Sequence, residues 1–312
     1  MVRFPAGSAF AASVVLVTAL GCAGEDGLRS DVQAQEAALA ASSSVEGRIR
    51  CAVEDPGVLE ADALQAEASE TRFFAAKSDD KIRVPVHFHV ITTSSGGGDV
   101  SALVPAQIDV LNTAFARSNI KFRLASVEVV ANDDWFFSEI GSPEEVAMKA
   151  ALRRGGSNAL NFYSTLGDVY LGWATFPSEY RRDPLYDGVV VYLGTLPGGG
   201  AEGPDTSGGE PDGWFDYDEG DTGTHEVGHW LGLLHTFDGG CTERNDRIKD
   251  TPAQGETDAI FFCAQADTCT GRKFPGFDPI HNYMSYQDDQ CLFEFTEDQT
   301  RRMRNQWDRF RD

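Results

Sequence analysis

Positive charge is what this chain of 312 residues has least of: 26 lysines and arginines stand against 49 aspartates and glutamates, a formal net charge of −23. No basic stripe offsets the acid, which excludes nucleic acid and anionic lipid headgroups as partners. An acidic surface attracts basic protein or peptide segments, and it suits extracellular life and calcium binding. Long apolar runs are missing too. The stretch from Phe10 to Leu20, behind Arg3, is too short to span a bilayer but right for an export signal. Residues 195–213 are Gly-rich and acidic, yet no Gly-Lys-Ser/Thr follows, so they read as a surface loop rather than a phosphate cradle. No internal repeat is present.

The apolar run ends Thr18-Ala19-Leu20-Gly21-Cys22. A small residue before a cysteine at this place resembles a bacterial lipoprotein cleavage site, with Cys22 lipidated; ordinary secretion is the alternative. Residues 1–21 are thus expected to be a signal peptide and 22–80 a linker and prosegment rich in Ala, Ser and acids, with a short Ala-rich helix from Ser30 to Ser42. Residues 81–312 are expected to be the folded domain. On either reading the mature protein lies outside the cytoplasm, where disulfides persist. Any membrane contact runs through the lipid anchor alone.

What the chain does contain is an ordinary globular composition, 41% hydrophobic and 24% charged. Ile82, Val84, Val86, Phe88 and Val90 alternate as in a strand, with His87 and His89 on the other face, where they are expected to bond within the fold. Pro105 suits a first helical turn, and Ile108, Leu111 and Phe115 mark one face of a helix ending near Asn119. Strands follow at Ile120, Phe122 and Leu124 and at Gly188 to Leu193. Thr296-Glu297-Asp298-Gln299 is a capping box opening a helix that carries Met303, Trp307 and Phe310 on one face. The order implies an α+β, two-lobed fold. Above lies a twisted mixed sheet on an active-site helix and a backing helix. Below lies a loop-rich lobe with the C-terminal helix, where Cys241, Cys263, Cys269 and Cys291 supply staples. Four cysteines permit three pairings, and sequence does not choose among them.

Chemistry concentrates in residues 225–235, His-Glu-Val-Gly-His-Trp-Leu-Gly-Leu-Leu-His. On a helix, His225 and His229 share one face and reach one metal ion. Glu226 sits beside the first ligand, placed to work on water as a general base rather than to bind the metal. Gly232 lets the chain leave the helix with positive φ, and His235 swings back as third ligand. Three protein ligands leave one position open, the pattern of a catalytic zinc rather than a structural one. This is the metzincin signature, and its second requirement, a methionine turn, is met by Asn282-Tyr283-Met284-Ser285-Tyr286.

From about Lys81 onward the chain resembles the pappalysin-like branch of the metzincins. The matching residues are His225 to His235 with Trp230 inside, Asp246-Arg-Ile-Lys-Asp250-Thr251-Pro252, the methionine turn, and Phe295-Thr296 with Gln299 and Met303. The resemblance implies a secreted zinc endopeptidase made as a zymogen, acting on proteins or peptides, with calcium in the lower lobe. It implies the disulfides Cys241–Cys269 and Cys263–Cys291. It casts Met284 as an apolar floor beneath one zinc ion and Tyr286 as the group that stabilises the tetrahedral oxyanion, a core tyrosine under the metal being the alternative. It puts Asp289 at the bottom of the pocket for the side chain after the scissile bond, favouring Arg and then Lys; otherwise Asp288 and Asp289 are solvated loop acids or calcium ligands. Asp246, Asp250 and Thr251 offer hard oxygens for calcium, although no glycine stands between Cys241 and Asp246 where the family has one.

With four cysteines paired and Cys22 in the signal region, Cys51 is left as a zinc ligand for the zymogen. Ala52 follows it where the family has glycine, and a disulfide with Cys22 or an idle thiol is the alternative reading. A monomer is expected. Two other functions merit weighing. A non-catalytic surface adhesin would have lost Glu226 or a zinc histidine, and none is lost. A zinc amidase acting on non-peptide bonds would not require the double signature.

Overall fold

The computed structural model describes residues 51, 80–167, 170–200, 217–255 and 263–312. The expected signal peptide, the Ser30–Ser42 helix, Cys22 and most of residues 195–213 lie outside these.

The first strand, β1 (Ile82–Thr92), turns Ile82, Val84, Val86, Phe88 and Val90 into the core. It pairs in parallel with β2 (Ile120–Ala131) on one side and β3 (Leu160–Thr165) on the other. Parallel neighbours need a crossover, and helix α1 (Val104–Ala114) supplies the one between β1 and β2. Helix α2 (Pro143–Leu152) falls between β2 and β3, capped by Ser142, whose hydroxyl accepts from Glu145 N at 3.1 Å. Strands β4 (Gly172–Ala174) and β5 (Val189–Tyr192) complete a five-stranded sheet of order β2-β1-β3-β5-β4, in which only the β4–β5 pairing is antiparallel. The sheet is mixed because β4 returns along the edge of an otherwise parallel array.

One apolar core joins β1, β3 and β5 to α1, to helix α3 (Asp221–Trp230) and to helix α4 (Glu297–Phe310). Helix α1 ends four or five residues before the Asn119 boundary read from its apolar spacing. Phe115 is still buried, but as the C-cap, and the chain reverses through Asn119 at φ 55°. Asparagine tolerates this left-handed region, and the reversal is needed to begin β2 beside β1. His87 and His89 do bond within the fold: His87 Nδ1 lies 2.7 Å from Ser126 Oγ, and His89 bridges Glu128 and Asn161.

Past α3 the chain has little regular structure until α4. Its covalent supports are Cys241–Cys269 and Cys263–Cys291, the connectivity the family resemblance implies. The final helix opens with the reciprocal capping box of Thr296 and Gln299 and buries Met303, Trp307 and Phe310.

Candidate active site

Helix α3 is buried along its whole length, and it starts at Gly220 in the left-handed conformation. Its end is equally constrained. Gly232 has φ 92°, which a side chain would strain, and from there the chain brings His235 back to the face of His225 and His229. His229 Nε2 lies 3.1 Å from His225 Nε2 and 3.1 Å from His235 Nε2.

The protons on these rings can be assigned from their other nitrogens. His225 Nδ1 lies 2.7 Å from the Tyr283 carbonyl oxygen, and His229 Nδ1 lies 2.9 Å from that of Leu233. A carbonyl only accepts, so both Nδ1 atoms carry the proton and both Nε2 atoms present a lone pair. Burial, with His235 adjacent, holds His229 neutral by pushing its pKa well below the ordinary value. Lone pairs facing one another at this distance repel, and a cation among them reverses the sign. Cys51 Sγ joins the ring nitrogens, all four ligand atoms lying within 4.8 Å of one another. Three imidazoles and a thiol are a donor set that fits zinc.

The methionine turn supports this cluster from below. Met284 is buried, and a Cβ at Gly228 would lie 2.4 Å from its sulfur, so the thioether packs directly on the motif helix. Met284 N donates to Asn282 Oδ1, and Asn282 exchanges side-chain hydrogen bonds with Gln299 of the α4 capping box. The same helix holds the motif's exit: Arg302 Nε donates to the Gly232 carbonyl at 2.7 Å, and Arg311 donates to that of Trp230. Helix α4 and its C-cap residue Arg311 therefore hold the segment around the histidine cluster at three points.

Tyr286 lies beside the cluster. Its hydroxyl is 3.2 Å from His235 Nε2 and donates to the Cys51 carbonyl at 3.3 Å, while its ring packs edge-on against Phe237. Glu226 is buried, and Gly172 of β4 gives it room: a Cβ there would meet its Cγ at 2.8 Å and its Oε1 at 3.0 Å.

Asp288 and Asp289 are both buried, so neither is a solvated loop acid. Asp289 Oδ2 accepts from the backbone N–H groups of Glu219 and Asp221, at 3.0 and 3.2 Å, where α3 begins. Asp246 is buried and Thr251 lies in the same loop, whereas Asp250 is exposed and its Oδ2 accepts from Asp298 N at 2.9 Å. Gly172, Glu145 and Asp187 were not singled out by sequence. Ser142-Pro-Glu-Glu145 reads as a capping box, which assigns Glu145 a local partner, and no spacing signal marks the other two.

Residues 214–308 match the peptidase M43 family, described as pregnancy-associated plasma protein-A. A Sordaria macrospora protein named extracellular metalloprotease is 37% identical over 300 residues, covering 91% of this chain and 98% of its own. A Verticillium alfalfae protein of the same name is 39% identical over 258 residues, covering 80% and 83%. The chain belongs to the peptidase M43 family. Among solved structures, mirolysin in complex with compound 9 is 30% identical with a TM-score of 0.59, covering 73% of this chain and 92% of that one. A mutant of Tannerella forsythia promirolysin is 26% identical with a TM-score of 0.62, covering 84% and 95%. This M43 peptidase is a metalloendopeptidase with the metzincin fold, a class that implies a catalytic zinc, and three of its histidines cluster.

The contact between β4 and the glutamate yields a direct test. Gly172→Ala should keep zinc but lower kcat by about 10- to 100-fold, because the added methyl displaces the Glu226 carboxylate. Unchanged kcat at full zinc occupancy would show that the contact does not set the glutamate's position.

Proposed function

We propose that the peptidase is exported and made as a zymogen, that Glu226 is its general base, and that it prefers Arg, then Lys, just after the scissile bond. The observation that carries the reading is the convergence of three histidine nitrogens and the Cys51 sulfur beside Glu226 and Tyr286. Zinc at this site supplies Lewis acidity, lowering the pKa of a water to about 7 and polarising the scissile carbonyl. Glu226 takes the proton from the attacking water and passes it to the leaving amine. The Tyr286 hydroxyl donates a hydrogen bond to the carbonyl oxygen as it gains negative charge. Glu226→Gln should keep zinc and lose peptide hydrolysis by several orders of magnitude; near-normal turnover would remove this mechanism.

Cys51 accounts for latency. Its thiolate is suited to the open coordination position, and its carbonyl engages the Tyr286 hydroxyl, so one prosegment residue occupies both the metal side and the oxyanion side of the site. The unprocessed Cys51→Ala chain should cleave peptides where the unprocessed wild type does not. If it is as silent as the wild type, the thiol is not the latch. The signal peptide over residues 1–21 and the prosegment over 22–80 belong to this reading, as does export, which the extracellular relatives support. The mass of the mature N-terminus distinguishes lipidation at Cys22 from free secretion.

Calcium in the lower lobe is supported by Asp246 and Thr251. Asp246 and Thr251 are buried with their side-chain oxygens close enough to interact, and burial pushes the Asp246 carboxyl well above the usual carboxylate range. A hard divalent cation satisfies both oxygens and keeps the carboxylate ionised. Added calcium should raise the melting temperature, and an unchanged melting temperature would count against the site.

The preference for a basic residue rests on Asp289. Held in place at Oδ2 by two backbone donors, its buried carboxylate presents a fixed negative charge that suits a basic side chain, a guanidinium with its several donors more than an ammonium. A charge-assisted bond contributes about 1.5–3 kcal/mol. Asp289→Asn should therefore lower kcat/KM for Arg substrates at least about tenfold while sparing neutral ones. An Asn variant with its Arg preference intact would remove Asp289 from the pocket.

A further inference from the structure

Two buried carboxylates outside the zinc cluster converge on the edge strand that faces Glu226. Glu145, on α2, accepts from Trp173 Nε1 at 2.6 Å through Oε1, which also lies 2.7 Å from Lys149 Nζ. Its Oε2 accepts from Gly141 N at 2.6 Å and from the Tyr186 hydroxyl. Asp187, just before β5, accepts from Thr175 Oγ1 at 3.1 Å and from Trp230 Nε1 at 3.2 Å. Arg311 Nη1 reaches it at 3.0 Å and Arg153 Nη2 at 3.4 Å. Trp173 is the middle residue of β4, Thr175 follows that strand directly, and Trp230 is the last residue of α3.

The strand needs such support. It is three residues long, lies at the sheet edge and, among the described residues, is paired on one side only, with β5. Yet Gly172 in that strand touches Glu226, so a displacement of β4 by a few tenths of an ångström changes the space its carboxylate occupies. Burying Glu145 and Lys149, both fully inaccessible, is a poor way to gain stability, because apolar residues of similar volume usually do as well. What charged hydrogen bonds provide better is direction. Each carboxylate takes several donors at fixed angles, and Asp187 receives one from the strand side and one from the metal-binding helix, so the two elements share an anchor.

We propose that Glu145 and Asp187 are positioning residues for peptide hydrolysis, Glu145 tying β4 to α2 and Asp187 tying the end of β4 to α3, and so fixing the Glu226 carboxylate relative to the three histidines. The proposal rests on Glu226 acting as general base. Glu145→Gln keeps the shape of the side chain and removes its charge, and Trp173→Phe removes only the indole donor while keeping an aromatic ring.

Both variants, made in the full chain, activated as the wild type is and matched for zinc content and near-UV circular dichroism, should lose about 10- to 100-fold in kcat. KM for a short peptide should stay near the wild-type value, and the acid limb of the kcat–pH profile, which reports the base, should shift. Asp187→Asn should act in the same direction. The proposal is overturned if these folded, zinc-loaded variants keep kcat and the acid limb at wild-type values, whatever their melting temperatures, since the two carboxylates would then serve stability alone. Glu226→Gln, assayed alongside, reads the base assignment separately: near-normal turnover in that variant overturns the base and the proposal with it, whereas an inactive Glu226→Gln enzyme beside unchanged kcat in the other variants overturns the proposal alone.

Discussion

Convergence of three imidazole nitrogens on one point is the constraint on which the rest of this structure depends. Two backbone carbonyls oblige His225 and His229 to present unprotonated Nε2 atoms, which lie 3.1 Å apart. Every ring is fixed from behind, His225 by the methionine turn, His229 by the turn at Leu233, and His235 by Asp238, whose Oδ2 lies 3.4 Å from its Nδ1. Lone pairs so arranged would hold a cation, and the helix, turn and loop around them keep them converged.

Two separate bodies of structure supply the support. From the sheet side, a glycine in a short edge strand leaves room for the glutamate, and two buried carboxylates hold that strand. From the lower side, α4 grips the methionine turn through Gln299 and Asn282, the motif's exit through Arg302, and the end of α3 through Arg311. The guanidinium of Arg311 also stacks 3.7 Å from the Trp230 ring centre, so the penultimate residue of the chain helps to hold the zinc-binding helix.

Much of this was legible in the sequence, for a physical reason. The histidines and Glu226 lie within eleven residues, so helix geometry and one glycine place them without any long-range information. The methionine turn and the final capping box are equally local, as was the alternation that buries β1. Disulfide pairing was not readable from spacing and came from family resemblance. Asp187 was invisible because its partners Arg153, Thr175, Trp230 and Arg311 come from four separate parts of the chain. Glu145 was not readable because two of its partners, Trp173 and Tyr186, lie far along the chain. The early end of α1 had a similar cause: apolar spacing continues through Phe115, and only the demand of the parallel β1–β2 pairing turns the chain at Asn119.

The proposed latch joins the three histidines and Cys51 in one zinc site in the unprocessed chain. Zinc-edge X-ray absorption on the full-length protein tests it directly. One zinc per chain is expected, with three nitrogen neighbours at about 2.0–2.1 Å and one sulfur at about 2.3 Å, and loss of the sulfur once the prosegment is cleaved. A zinc shell with no sulfur before cleavage, or with fewer than three nitrogens in either form, would contradict it.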